Sequence, residues 1–388
     1  MWYHRKVPLA RQNLTHDTRR LLTSVAGIAF AVFLMFMEVG FLNGLYDSQV
    51  ELIRQLQADV IITNALKHTL SYNEPFARRR VTQALAVPGV QAAYPVYIED
   101  ERAWWRNAET YTRRQIRVIA FPPEAPVFVN PEIRAQSAAL RRPDTALIDR
   151  QSKAAFGKRE AGLVTELAGR AIRVLGTFRL GTDFSNDGTV LMSDRTFLTY
   201  FSAPGGPIDR LSQVELGVVQ VAPQADVATV LAALRQALPT DVALYTKAEF
   251  FARERHYWQQ STPIGVVFGL GAVMGFAIGV IICYQILYTD VVDHLPQFAT
   301  LKAIGYHNSV LLRLVLLQAW YLACLGFVPG LLLAVGCYDL LAQWTGLLLF
   351  LSLPRVLVVF GLTVVMCLGA GSLAVRKVLS ADPAEGFS

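Results

Sequence analysis

The sequence predicts a membrane α-helical protein with four transmembrane helices. Between the first and second it places a large, two-lobed extracytoplasmic α/β domain. Three observations predict this fold class. Hydrophobic residues make up 53% of the 388-residue chain and charged residues 17%, with a mean hydropathy of +0.35, high for a soluble chain of this length. The apolar residues gather in a few long blocks instead of being spread evenly. Between the first two blocks lies a long polar stretch whose periodicity alternates between strand and helix.

The first element is a basic tail, residues 1–20, in which Arg5, Lys6, Arg11, Arg19 and Arg20 stand against a single acid, Asp17. Positive flanks resist translocation, so this tail is expected in the cytoplasm. Residues 21–45 carry one charge, Glu38, and exceed the roughly 20 helical residues that cross a hydrocarbon core of about 30 Å. A signal peptide would have a shorter apolar core and a small-residue cleavage site, and neither is evident. A carboxyl deep in a span costs roughly 2.5–3.5 kcal/mol on insertion scales. Glu38 therefore has two readings: a polar partner inside the bundle, or the outer edge of a tilted helix, where it reaches the headgroups.

Residues 46–261 form the extracytoplasmic domain with its stalks. DSQVELIRQLQ continues the first span as a helical stalk. ADVIIT reads as a strand, EPFARRRVTQALA as a helix, VQAAYPVYIEDERAWW as one or two strands, and TYTRRQIRVIAF as another strand ended by Pro122 and Pro123. Later, QVELGVVQV, ADVATVLAALRQAL and DVALYTK repeat strand, helix, strand. Together these segments read as a split βαβ sheet with an insertion lobe over about residues 124–207, which has turn signals of its own such as TDFSNDGT. KAEFFARERHYWQQ resumes a helix, with Thr246 and Glu249 in capping-box spacing. It leads into the next span, so the two stalks are expected side by side. Arg78, Arg79 and Arg80 point different ways on a helix and read as a solvated surface.

The second span, residues 262–288, contains Gly265, Gly269, Gly271, Gly275 and Gly279. Small residues at this spacing let helices approach closely in lipid, either within one chain or between two copies. Residues 289–309 form a polar segment. Within it Pro296 is placed to open a helix and Gly305 to close one, and Phe298, Leu301 and Ile304 fall on one face. A helix this short does not persist alone in water, so it needs a partner surface; the segment also fits a capped loop resting on the headgroups. Residues 310–337 are the third span, with Pro329 and Gly330 as an expected kink. A loop over 338–354 and a fourth span over 355–375 follow, and then a cytoplasmic tail, 376–388, that starts with Arg376 and Lys377. In that tail Asp382, Pro383 and Glu385 form a helix start with no helix behind it. A contact and a frayed end both fit that pattern.

Composition and motifs also exclude functions. All four cysteines, Cys283, Cys324, Cys337 and Cys367, fall within or beside the apolar blocks, so disulfides do not hold the polar middle together. A pI near 9.2 and a formal charge of +6 come from scattered bases, without a nucleic-acid motif. The sequence contains no phosphate-binding GxxxxGK[ST] loop, HExxH, CxxC pair or GxSxG. No catalytic or metal-ligating residues are singled out, and His294 reads as a surface residue. Any energy must come from a partner.

One span, a large extracytoplasmic head and three further spans is the topology of the MacB/FtsX-like ABC transporter superfamily. More closely, FLNGLYDS, LQADVII, YWQQSTPIG, VMGFAIGVIICYQILYTDVVDHLPQFATLKAIGY, GCYDL and AVRKVLSADPAEGF resemble the DevC-type permease family. The resemblance runs from the first span to the C-terminus; the terminal GFS departs from the more hydrophobic finish of many relatives. It implies a dimeric inner-membrane permease, without a nucleotide-binding domain, that exports a glycolipid or another amphiphile. The implied partners are a DevA/LolD-like ATPase, a DevB-like periplasmic adaptor (membrane fusion protein) and a TolC-like outer-membrane channel. This chain would bind no cofactor, with ATP and Mg held by the ATPase. The polar segment becomes the coupling helix, with Asp293, His294, Pro296, Phe298, Leu301, Lys302, Ile304 and Gly305 at the ATPase, and Asp382, Pro383 and Glu385 on the same side. The head, with a porter-like and a sabre-like lobe, becomes the adaptor-binding domain. Two other functions fit the same topology: an FtsX-like transducer that activates an extracytoplasmic hydrolase, and a lipoprotein-release permease.

Overall fold

The computed structural model describes residues 18–202, 211–261, 263–293, 308–345 and 349–380. The chain divides into two compact units. One comprises residues 1–43, 263–340 and 349–388, and the other residues 44–262 with 341–348.

The second unit is built on strands β1 (Val60–Asn64), β2 (Phe76–Ala77), β3 (Val90–Glu99), β4 (Trp104–Arg106), β5 (Arg113–Gln115), β6 (Arg117–Phe121), β7 (Thr145–Asp149), β8 (Val164–Leu167), β9 (Arg170–Phe178), β10 (Thr189–Ser193), β11 (Gln213–Val214), β12 (Leu216–Val221) and β13 (Val242–Thr246). Eleven of them pair in the order β13-β1-β12-β3-β6-β10-β7-β9-β8-β4-β5, and β2 pairs with β11. The first four in that order are antiparallel to their neighbours. Helix Arg79–Ala84 lies between β1 and β3 in the chain, and helix Val227–Ala237 between β12 and β13. This is a split βαβ arrangement, as the repeated strand-helix-strand pattern suggested.

The two halves of the sheet share β3. Its residues from Val90 to Val96 pair with β12, and Tyr97, Ile98 and Glu99 pair with β6. The second half therefore begins at Tyr97 and takes in β4, β5 and β6, all of which precede Glu124. The single strand expected in TYTRRQIRVIAF is two, because the Ile116 amide turns aside to donate to the Ala103 carbonyl. That interruption frees the short Arg113–Gln115 segment to pair with β4 at the sheet edge.

The pleat sends alternate residues to opposite faces. Val60 and Ile62 of β1 enter one apolar cluster with Val81, Tyr97 and Val219, while Ile61 enters another with Val96, Ile119 and Val218. That second cluster also takes Leu52 and Ile53 from the end of the first long helix, Leu56 just after it, and Phe250 from helix Lys247–Ser261. Both stalks are thus rooted on the same face of the sheet. The exit stalk starts where its sequence says it should: the Thr246 amide donates to Glu249 at 2.8 Å, and the Glu249 amide to the Thr246 hydroxyl at 3.1 Å.

The arginine run differs from its sequence reading. Arg80 is buried, and its Nε and Nη2 donate to Asp241 at 3.0 and 2.8 Å, tying its helix to the turn before β13. Its helix packs on β3 and β12 with Val81 and Ala84 in the core, and Asp241 reaches Arg80 from far along the chain, which the local spacing does not reveal. Charge-assisted bonds of this kind contribute about 1.5–3 kcal/mol. Arg80→Ala is therefore expected to lower the midpoint of urea unfolding, followed by circular dichroism in detergent.

Four described helices are long and apolar enough to cross a membrane: the first runs unbroken as Thr18–Gln55, followed by Ile264–Asp293, Asn308–Thr345 and Leu353–Ser380. The third passes through Pro329 and continues beyond residue 337. A Cβ at Gly330 would lie 2.7 Å from the Ala29 carbonyl oxygen, so this glycine serves close packing on the first helix. Inside the unit, Ile28, Val32 and Phe36 of the first helix join Leu287, Ala319, Met366 and Ala370 in one apolar cluster.

Candidate functional site: the stalk pair and the polar seats of the spans

Among the residues expected at the ATPase, Asp293 is described. His294, Pro296, Phe298, Leu301, Lys302, Ile304 and Gly305 lie outside the described residues, as do Asp382, Pro383 and Glu385. Asp293 is the last residue of the second spanning helix and accepts a bond from Arg20 at 2.5 Å, while Arg20 also lies 3.9 Å from Asp290. The sequence reading used Arg20 only as a marker of topology. Its pairing with residues far along the chain leaves no local signal.

Glu38 is half-buried and faces the second spanning helix. A Cβ at Gly271 would come 2.5 Å from its carboxyl carbon, so this glycine makes the seat in which the carboxyl lies. Gly279 admits Met366 and Ala31, and a Cβ there would stand 2.9 Å from Ala31 Cβ. At Gly275 the approach to Leu34 is an ordinary contact of 3.6 Å, and a side chain at Gly269 would meet nothing within 4 Å. Gly265 lies in the same helix, near its start. Close packing within the chain thus accounts for Gly271 and Gly279. Filling such a seat typically costs about 1–3 kcal/mol. Gly271→Leu should accordingly lower the thermal midpoint in detergent, with Gly269→Leu nearly neutral as the control.

The second unit holds the stalks together at two levels. Arg255 of the exit stalk donates to the buried carboxylate of Asp47 on the first helix at 3.0 Å. Near the sheet, Lys247 Nζ donates to the carbonyls of Arg54 at 2.9 Å and Leu56 at 2.6 Å, closing the C-terminal end of the first helix. A lysine at that end also meets the negative pole of the helix. Arg54 lies over the ring of Phe251, 5.6 Å from its centroid. Burial pushes the Lys247 pKa down, and nearby Asp59 opposes that shift.

The exit stalk also grips the loop after β1. Glu254, 1% exposed, accepts from the Thr69 hydroxyl, from the Leu70 amide and from the Trp258 indole at 3.0 Å. Arg253 donates to the Lys67 carbonyl. Lys67, also 1% exposed, donates through Nζ to the Tyr72 carbonyl at 2.6 Å. Burial pushes the Glu254 carboxyl up, against the bonds from Thr69, Trp258 and Leu70 and the charge of Lys67. Burial pushes the Lys67 ammonium down, and Glu215 followed by Glu254 opposes that. Sequence reasoning missed this knot. Its elements are about 185 residues apart, and neither charge stands out in a polar domain.

Elsewhere the charged side chains serve the fold. Asp149 caps a turn with bonds from the Gln151, Leu180 and Gly181 amides, and Arg117 pairs with Asp183 inside the second half of the sheet. Among the described residues no group of three or more His, Cys, Asp or Glu is placed to hold a metal ion.

Four helices long and apolar enough to cross a membrane, with an α/β unit inserted between the first and the second in the chain, are the elements of a membrane permease. The family model described as MacB-like periplasmic core domain matches residues 21–237, and that described as FtsX-like permease C-terminal matches residues 269–383. The chain belongs to the MacB/FtsX-like family of ABC transporter permeases.

Among solved structures, the chain is similar to the periplasmic region of MacB from Actinobacillus actinomycetemcomitans, with 10% identity over 54% of this chain and 97% of that one and a TM-score of 0.36. It is also similar to the extracellular domain of the noncanonic ABC-type transporter YknZ from Gram-positive bacteria, with 10% identity, 49% and 99% coverage and a TM-score of 0.33. A domain of a putative permease protein from Porphyromonas gingivalis matches at 16% identity, with 48% and 87% coverage and a TM-score of 0.32. No curated protein matches the chain. The family is the permease component of ABC transporters and works with an ABC ATPase, and its members are multi-pass inner-membrane proteins with a periplasmic domain.

Proposed function

We propose that this chain is the DevC-type permease of an ATP-driven tripartite exporter, working as a homodimer and passing nucleotide-driven motion to its periplasmic head. The observation that carries this reading is the pairing of the stalks: Asp47 with Arg255, and Lys247 on the carbonyls of Arg54 and Leu56. Two helices tied at both levels resist sliding past one another, so a push on one is delivered to the sheet by both. Two DevA/LolD-like ATPases, holding ATP and Mg, would close and press the segments from His294 to Gly305, Asp293 standing at their root. This is a two-state element biased by nucleotide. The cargo is a glycolipid or another amphiphile, delivered to a DevB-like adaptor and a TolC-like channel.

The head offers a surface for that adaptor. An open cleft of about 340 Å³ on the second half of the sheet is lined by Arg102, Trp104, Arg113, Glu166, Tyr200 and Phe201. Exposed tryptophan and arginine dominate protein interfaces, and truncating such a residue commonly costs about 2 kcal/mol or more. Trp104→Ala is expected to weaken adaptor binding by more than about tenfold in a pull-down from detergent. Co-expression with the neighbouring ATPase and adaptor genes, followed by mass spectrometry of co-eluting proteins and lipids, tests the whole assignment. Co-elution of a peptidoglycan hydrolase would favour the FtsX-like transducer, and a lipoprotein chaperone would favour lipoprotein release; either would replace export through an adaptor.

A further inference from the structure

The second unit carries an aromatic patch assembled from three separate segments. Phe184, from the turn before β10, stacks on Trp258 with ring centroids 5.9 Å apart. The hydroxyls of Tyr72 and Tyr257 lie 3.5 Å apart, and Ser185 donates to Ser71 at 2.9 Å, which joins the Phe184 turn to the loop after β1. Tyr72 is 52% exposed and Phe184 39%. The fold uses Glu254 to orient the Trp258 indole, yet leaves much of this apolar surface in the open.

The level of the patch follows from the stalks. The exit stalk runs antiparallel to the first helix, since Lys247 meets Arg54 and Leu56 while Arg255 meets Asp47. Asp47 lies two residues beyond Leu45, where the first apolar run ends, or about 3 Å along a helix. Trp258 lies three residues beyond Arg255, about 4.5 Å further along the exit stalk in the opposite sense and so nearer the hydrocarbon. Tryptophan and tyrosine prefer this depth, where an apolar ring and a polar tip are both accommodated.

We infer that Tyr72, Phe184, Tyr257 and Trp258 form a contact surface for the outer-leaflet lipid interface, lying among the headgroups. The inference goes beyond the proposed export function and does not depend on it. An aqueous surface or a second protein would leave the same patch out of reach of lipid, so lipid contact is the quantity to measure.

The full chain is reconstituted in phosphatidylcholine nanodiscs that contain lipid brominated near the glycerol end of the acyl chain, or near its methyl end. Subtracting the emission of Trp258→Phe isolates Trp258. A second probe, Phe184→Trp, keeps an aromatic ring beside Trp258, leaves the Trp258–Glu254 bond intact and reports even if Trp258→Phe does not fold. Shallow bromines are expected to quench both probes at least about twofold more strongly than deep ones, as for a side chain at the interface. Absence of bromolipid quenching at Phe184→Trp overturns the inference, whether a soluble quencher reaches the probe, which means water covers the patch, or is excluded, which means protein covers it.

Discussion

Leu301→Asp is expected to abolish co-purification of the ATPase with the permease while leaving the membrane bundle and the periplasmic head folded. Phe298, Leu301 and Ile304 form the apolar face of the short polar segment between the second and third spans, and a helix of that length depends on a partner surface. Burying a leucine is worth roughly 1.5–3 kcal/mol, so losing this anchor alone weakens the contact by about tenfold or more. An aspartate adds the cost of a buried, unpaired charge. The measurement is co-elution of the ATPase, alongside ATP turnover in nanodiscs with and without the permease. A variant that binds the ATPase and stimulates turnover like wild type would show that this segment does not couple the two subunits.

Much of the architecture was legible because it rests on local periodicity. The long apolar blocks, the strand-helix-strand repeat, and the Thr246–Glu249 capping box are patterns of a few residues to a few turns, and each appears in the structure. What was not legible depends on contacts distant in sequence. Arg80 looks like one of three surface bases until Asp241 is brought beside it. Glycines spaced for helix packing do not say which partner they admit, and only the folded bundle assigns Gly271 to Glu38 and Gly279 to Met366 and Ala31. A strand pattern cannot announce that Ile116 will turn its amide to Ala103, so β5 and β6 read as one strand.

The buried knot around Glu254 is the extreme case of that second kind, and it carries the other large prediction. Glu254→Ala is expected to destabilise the head by about 3–5 kcal/mol, because each buried donor left without an acceptor costs about 1–3 kcal/mol and three lose theirs. The Thr69 hydroxyl, the Leu70 amide and the Trp258 indole would each lose an acceptor, and Lys67 would lose one of the two carboxylates that most favour its charge. Unpaired groups in such a site are costly because water cannot replace the lost bonds. The loop after β1 should then detach from the exit stalk, and hydrogen exchange at the Leu70 amide should accelerate. Glu254→Gln separates charge from shape, since it retains an acceptor oxygen. Burial holds the Glu254 pKa above its ordinary value of 4.5, so the folded state binds the proton more tightly than the unfolded chain. The stabilisation linked to that proton is fully present below 4.5 and is lost as pH rises through the elevated folded value. Unfolding midpoints measured across that window should therefore fall with rising pH for wild type relative to Glu254→Gln. If the two proteins show parallel profiles and Leu70 exchange is unchanged in Glu254→Ala, the knot does not hold the loop to the stalk. If instead Glu254→Ala keeps ATP turnover and assembly but loses export, the loop after β1 is the point at which stalk motion enters the head.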